Sequence, residues 1–256
     1  MTYAIYTENL KKSFGSVEAV KNLNLQIGQG ELYALLGVNG AGKTTTIKML
    51  SCLLPVDSGR AEVMGHSITE NPMKVKEVLN VSPQESSVAP NLTVYENLAF
   101  IAQIYGFSKV EAQLKADEII GKLSLQDVKN TKAKTLSGGY ARRLSIAMSL
   151  ITEPKVLFLD EPTLGLDVLS RRELWKIIRE LKGKITIVLT THYLEEAEAL
   201  ADKVGIMSKG VLMAQGTAEQ LKALAGKDEF EEAFISIVSG EFPAKDGACC
   251  EKGGTI

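Results

Sequence analysis

The chain has 256 residues, 45% apolar and 23% charged, enough to bury a full core as one large domain or two small lobes. Its 29 Lys and Arg against 31 Asp and Glu leave a net charge of -2, so no overall field favours nucleic acid or an anionic membrane surface. Three cysteines, Cys52, Cys249 and Cys250, are too few and too poorly spaced for a disulfide framework and point to a reducing compartment; the adjacent pair lies in a polar tail with no nearby histidine to complete a metal set.

Residues 1–20 mix Glu8, Lys11, Lys12 and Glu18 among apolar positions, so no secretory core is readable there. The longest apolar runs, such as 185–189, fall far short of the roughly 20 residues that span a bilayer. Any membrane role must come through a partner. Strand-like and helix-like patterns alternate without an internal repeat, which predicts an α/β fold with a largely parallel sheet. Residues 31–36 read as an apolar strand, followed by a glycine-rich turn and a helix with Ile47, Leu50 and Leu54 on one face, ended by Pro55 and Asp57-Ser58-Gly59. Residues from about 88 to 151 lack strong strand runs and hold three helix candidates, an inserted helical lobe. Thr93 with Glu96 and Ser108 with Glu111 have capping-box spacing, and Leu98, Ile101 and Tyr105 mark a buried face. Strand character returns at 156–159 and 185–190. Between them a third box, Ser170 with Glu173, opens a helix with Leu174, Ile177, Ile178 and Leu181 that stops near Gly183. Residues from about 226 to 256, rich in Gly, Lys and acidic residues, predict a loosely packed end.

The strongest chemical signal is GVNGAGKTT, residues 37–45, which fits the phosphate-loop pattern G-x-x-x-x-G-K-[ST] after a strand and before a helix. Its glycines let successive backbone N–H groups turn toward one anion, the helix start adds partial positive charge, Lys43 reaches the β- and γ-phosphates, and Thr44 offers a hydroxyl to magnesium. A nucleoside triphosphate also needs an acidic site, because magnesium takes oxygen ligands and the attacking water must be oriented. VLFLDEP, residues 156–162, places Asp160 at the end of a buried strand, with Glu161 pointing the other way to act as general base. An Asp-Glu pair alone says little; after a phosphate loop and an apolar strand it says much. His192 leaves another core strand within reach of the γ-phosphate, and Gln84, in NVSPQ, ends a further strand where the helical lobe begins. Finally, TLSGGYARRLSIAMSLI, residues 135–151, sets Ser137 and two glycines before a helix whose Tyr140, Leu144, Met148 and Ile151 form an apolar face. That start is either an anion site, an ordinary N-cap, or both.

In this order the motifs resemble those of the ATP-binding cassette, or ABC, ATPases, over about residues 3–220. The resemblance implies a P-loop NTPase core with a mostly parallel sheet, an N-terminal antiparallel β subdomain and an inserted α-helical subdomain, in a domain of residues 1–225 followed by a 226–256 tail with a short helix. It assigns nucleotide contacts to Phe14, Gly37, Asn39, Gly40, Ala41, Gly42, Lys43, Thr44, Thr45 and Gln84, with Phe14 stacking on adenine. Base stacking needs no base-specific hydrogen bond, so poor discrimination between ATP and GTP is expected. It assigns magnesium (Mg2+) to Thr44, Gln84 and Asp160, and chemistry to Glu161, His192 and Lys43. Leu136, Ser137, Gly138, Gly139 and Tyr140 are the signature that faces the ATP of a second cassette packed head to tail, and Asp167, in GLD, belongs to the adjoining loop. Tyr140 departs from the family's usual Gln or occasional Met; it either anchors the helix start or alters the grip on the partner's ATP.

The implied partners are an integral-membrane permease and a second nucleotide-binding subunit, identical or different, with no nucleic acid, and the implied place is the cytoplasmic face of the cell membrane. GKTTTIKML, ARRL and HYLEEAEALADKV, with DEFEEAFISIV at 228–238, are similar to cassettes of exporters with separate membrane subunits. The alternatives are an ABC ATPase acting on soluble partners and a nucleotide switch with negligible turnover; Glu161 and His192 disfavour the second.

Overall fold

The computed structural model describes residues 3–85 and 87–241; Cys249 and Cys250 lie outside them. The chain begins with the strands β1 (Tyr3–Phe14), β2 (Val17–Leu23), β3 (Gln26–Gly28) and β4 (Leu32–Leu36), then the helix α1 (Lys43–Leu50) and the strands β5 (Ser58–Val63) and β6 (His66–Ser67). α2 (Pro72–Val78) and β7 (Leu79–Ser82) lead into the helices α3 (Val94–Ile104), α4 (Lys109–Lys122) and α5 (Gly138–Leu150). β8 (Val156–Asp160), α6 (Val168–Leu181), β9 (Thr186–Thr191), α7 (Leu194–Leu200), β10 (Lys203–Ser208), β11 (Val211–Gly216), α8 (Ala218–Ala225) and α9 (Phe230–Ser239) complete it.

The strands form two sheets. One is antiparallel, in the order β2-β1-β5-β6 with β3 also on β1. The other runs β11-β10-β4-β9-β8-β7 and is parallel except for the β10–β11 hairpin. Alternation along β4 divides the core between the two faces of this sheet. Leu32, Ala34 and Leu36 join Leu157, Leu159 and Leu189 beneath the helical lobe, whereas Tyr33 and Leu35 join Phe158, Val188, Ile47 of α1 and Ile5 of the antiparallel sheet. β4, β8 and β9 are buried on both sides, β4 and most of β8 as apolar runs and β9 with Ile187, Val188 and Leu189 between threonines, as suits central parallel strands. Their C-terminal ends point the same way, and ligands of open parallel sheets bind at such ends.

Both capping boxes before α3 and α4 form as the spacing predicts. Four local expectations change. The box at Ser170 and Glu173 is absent, because Asp167 caps α6 by accepting from the backbone N–H groups of Leu169 and Ser170, and Glu173 pairs with Arg143 instead. Tyr105 does not extend the buried face of α3: it follows the last turn and is 51% exposed. α1 stops at Leu50, since Cys52 takes a left-handed backbone with φ 56° before Pro55 is reached, and Leu54 packs from the loop. Lastly, α9 is not loosely packed; Phe230, Ala233 and Ile237 enter the core beneath the main sheet.

Candidate nucleotide-binding site

Where β4 ends, the loop must fold back tightly over its neighbours. A Cβ on Gly37 would come within 2.3 Å of the Met207 carbonyl oxygen, and one on Gly42, with φ 105°, within 2.4 Å of that of Ala19. Only glycine fits either place. Gly42 starts α1 without a side-chain cap, so the donors of the first turn stay available to an anion. Lys43 is nearly buried; its Nζ donates to the carbonyl oxygens of Gly37 (2.6 Å) and Val38 (3.3 Å) and lies 3.2 Å from Glu161 Oε1.

The end of β8 supplies the acidic side. Asp160 Oδ1 accepts from Thr190 Oγ1 on β9 (2.5 Å) and from Thr44 Oγ1 on α1 (3.1 Å). Glu161 leaves the strand rather than continuing its alternation: its φ is 48°, and its N–H donates to the Thr190 carbonyl oxygen (3.1 Å). A left-handed backbone at a non-glycine residue costs about 1 kcal/mol or more and persists where surrounding bonds over-determine it. This turn carries the carboxylate between two cations or donors. Oε1 faces Lys43, and Oε2 is hydrogen-bonded to His192 Nδ1 at 2.6 Å.

These groups open onto a cleft of about 790 Å³ lined by Phe14, Asn39, Gly40, Ala41, Gly42, Lys43, Thr44, Thr45, Gln84, Glu161 and His192, and also by Lys21 and Lys209. Gly37 and Asp160 are not among the lining residues but accept hydrogen bonds from Lys43 and Thr44, which are. Phe14 is half exposed, with Lys12 Nζ 5.7 Å from its ring centroid. The side chain of Gln84 is exposed, two residues beyond β7. Leu136, Ser137, Gly138, Gly139, Tyr140 and Asp167 are not among the lining residues. Ser137 caps α5, accepting from the Tyr140 N–H. Gly139 is buried where a Cβ would meet Ser170 Oγ at 2.7 Å, and Tyr140 is half buried with the Arg143 guanidinium 4.3 Å from its ring centroid. Asp167 ties this surface to α6, its carboxyl held below the usual range by the backbone and hydroxyl of Ser170.

Sequence reasoning missed Arg142 and Thr190. From α5, Arg142 donates through Nε to Pro162 O (2.8 Å), through Nη2 to Asp160 O (2.6 Å), and through Nη1 to Gln84 O (3.1 Å) and Pro83 O. Burial pulls its pKa down to about 10 against the opposing pull of Asp160, Glu196 and Glu161, so it stays charged at neutral pH. Thr190 has a readable signal, a hydroxyl two residues before His192 on an apolar strand. Arg142 has only an arginine out of place on the buried side of a helix.

A phosphate loop leading into an uncapped helix, with an Asp-Glu pair and a histidine at adjacent strand ends, defines a P-loop nucleotide-binding site. Residues 20–164 match the ABC transporter family. The chain is 43% identical over 228 residues to the daunorubicin/doxorubicin resistance ATP-binding protein DrrA of Streptomyces peucetius, covering 89% of this chain and 69% of that one. It is 37% identical over 239 residues to the linearmycin resistance ATP-binding protein LnrL of Bacillus subtilis (strain 168), covering 93% and 77%. In structure it is similar to CbiO1 of Clostridium perfringens, part of the ABC transporter complex CbiONQ, with TM-score 0.80, 29% identity and coverage of 87% and 92%. The chain belongs to the ABC transporter family, as an ATP-hydrolysing cassette.

Proposed function

We propose that this cassette binds ATP in the described cleft, pairs head to tail with a second cassette, and by hydrolysis drives export through a separately encoded integral-membrane permease. One observation carries the reading: the cleft gathers the phosphate loop, Phe14, Gln84, Glu161 and His192, yet excludes Ser137 to Tyr140, of which Ser137 and Gly138 stand exposed at a helix start elsewhere. A site so divided is completed by a second copy or a related chain. In this reading Phe14 stacks on the base, and the loop amides and Lys43 take the phosphates in place of the carbonyls and carboxylate that Lys43 now touches. Glu161 accepts the proton of the attacking water while His192 holds that carboxylate in position. Thr44 and Asp160 are hard oxygen donors in mutual contact at the phosphate end, and Gln84 lines the same cleft, a set that fits magnesium. Bound there, the ion would neutralise phosphate charge.

The nucleotide-binding domain spans residues 1–225, with its helical lobe at about 88–151. No helix among the described residues is long and apolar enough to cross a membrane, so a place on the inner face of the cell membrane depends on the permease. Relatives named for drug resistance support the outward direction. Glu161→Gln tests the chemistry: turnover should fall on the order of 100-fold with ATP affinity retained, the loss expected for a missing positioned base. Unchanged turnover would remove Glu161 from that role. Purification from membranes should bring a polytopic protein with the cassette; soluble partners alone would refute transport.

A further inference from the structure

His192 is held on one side by Glu161, but a single hydrogen bond leaves an imidazole free to turn about it. The next residue supplies a second constraint. The rings of His192 and Tyr193 lie 4.2 Å apart between centroids at an interplanar angle of 39°, and the guanidinium carbon of Arg171 lies 4.7 Å from the centroid of the Tyr193 ring. Tyr193 is itself fastened, its N–H donating to Thr191 Oγ1 at 3.0 Å. Arg171 Nε is buried without a hydrogen-bond partner among the described residues, and the guanidinium lies against the Tyr193 ring. Arg171 belongs to the first turn of α6, where its N–H donates to the Asp167 carbonyl oxygen at 2.9 Å. A row of contacts therefore runs from the Asp167 cap through Arg171, Tyr193 and His192 to Glu161.

We propose that Tyr193 is a positioning residue for ATP hydrolysis: through its contacts with Arg171 and His192 it sets the imidazole that holds Glu161, and it links that setting to the helix capped by Asp167. Tyr193 is not among the residues lining the nucleotide cleft, so its effect falls on kcat and not on ATP binding. The inference rests on the roles given above to Glu161 and His192. Because α6 starts at the loop next to the surface proposed for the second cassette, a shift of that loop is passed to His192 through packed groups and not through the nucleotide.

The test is steady-state ATP hydrolysis by the full chain, with ATP binding measured in parallel. Tyr193→Ala is expected to lower kcat on the order of tenfold with KM within about twofold, a fraction of the hundredfold that a misplacement of about 1 Å can cost. Tyr193→Leu keeps apolar bulk without the π face and should match Tyr193→Ala, whereas Tyr193→Phe should restore kcat. Arg171→Met should fall between. In a His192→Ala background, Tyr193→Ala should add nothing, since its effect passes through the missing ring. A full additional loss in that background, rescue by leucine, or an effect confined to KM would overturn the inference while leaving the role of His192 intact. Full turnover by His192→Ala alone would overturn that underlying role, and the inference with it.

Discussion

Replacing Arg142 by methionine keeps most of the buried stem and removes every donor, which isolates what the guanidinium contributes. Two of its acceptors, Asp160 O and Pro162 O, take buried bonds on either side of Glu161. Leaving such a group unsatisfied costs about 1–3 kcal/mol each. Pro83 and Gln84 lie in a partly exposed loop and can take water instead. Against the loss stands a gain, because the variant no longer desolvates a cation, the same burial that lowers the pKa of Arg142. The balance is a destabilisation of about 2–4 kcal/mol, or roughly 5–15 °C in Tm for a chain of this size. Thermal unfolding without nucleotide measures it. Arg142→Lys should recover part of the loss, since a single ammonium cannot reproduce a planar fork spread over four carbonyls. A Tm for Arg142→Met within about 2 °C of the parent would refute this accounting and leave Arg142 a passive filler.

Ser137→Glu puts a negative charge where the partner's γ-phosphate is proposed to sit, so ATP-dependent dimerisation by Glu161→Gln protein should vanish on size exclusion while monomer affinity for ATP is spared. Loss of binding by isolated monomers would sink the in-trans assignment. Glu196 gives a prediction on pH. It is fully buried on α7, where Trp175 Nε1 donates to Oε1 (3.0 Å), and burial raises its pKa above 4.5. An acid whose folded pKa is raised contributes stability below its unfolded value, and that contribution is lost as pH rises through the folded value. Glu196→Gln removes the ionisation but keeps an oxygen for Trp175. It should be at least as stable as the parent at pH 8, with a weaker decline between pH 5 and 8; a less stable variant at pH 8 would contradict the sign.

How much was legible followed the range of each rule. The boxes at Thr93 and Ser108 are local patterns satisfied within a few residues, and they form as read. Ser170 and Glu173 have the same spacing, but Asp167 caps α6 three residues earlier, so Ser170 lies inside the first turn with its own N–H already given to Asp167. The short helix expected at 228–238 is there as α9, but its packing was misjudged by composition: Phe230, Ala233 and Ile237 share one buried face. Glu161 was expected to turn by strand alternation, whereas a left-handed backbone bonded to Thr190 aims it. Arg142 was illegible because its acceptors are backbone carbonyls of distant loops, which carry no side-chain signature.

The two glycine-rich helix starts now differ physically as well as in sequence. α1 has no side-chain cap, while Ser137 caps α5 by accepting from the Tyr140 N–H. The surroundings of α5 are firmly held. Gly139 leaves room only for Ser170, which in turn donates to Asp167, and Tyr140 packs on the core under the guanidinium of Arg143, itself paired with Glu173. Of the two roles open to Tyr140, the anchor is the one these contacts serve. A serine on a helix start held this firmly suits the contact proposed with a partner's phosphate, which would form and break without moving the helix behind it.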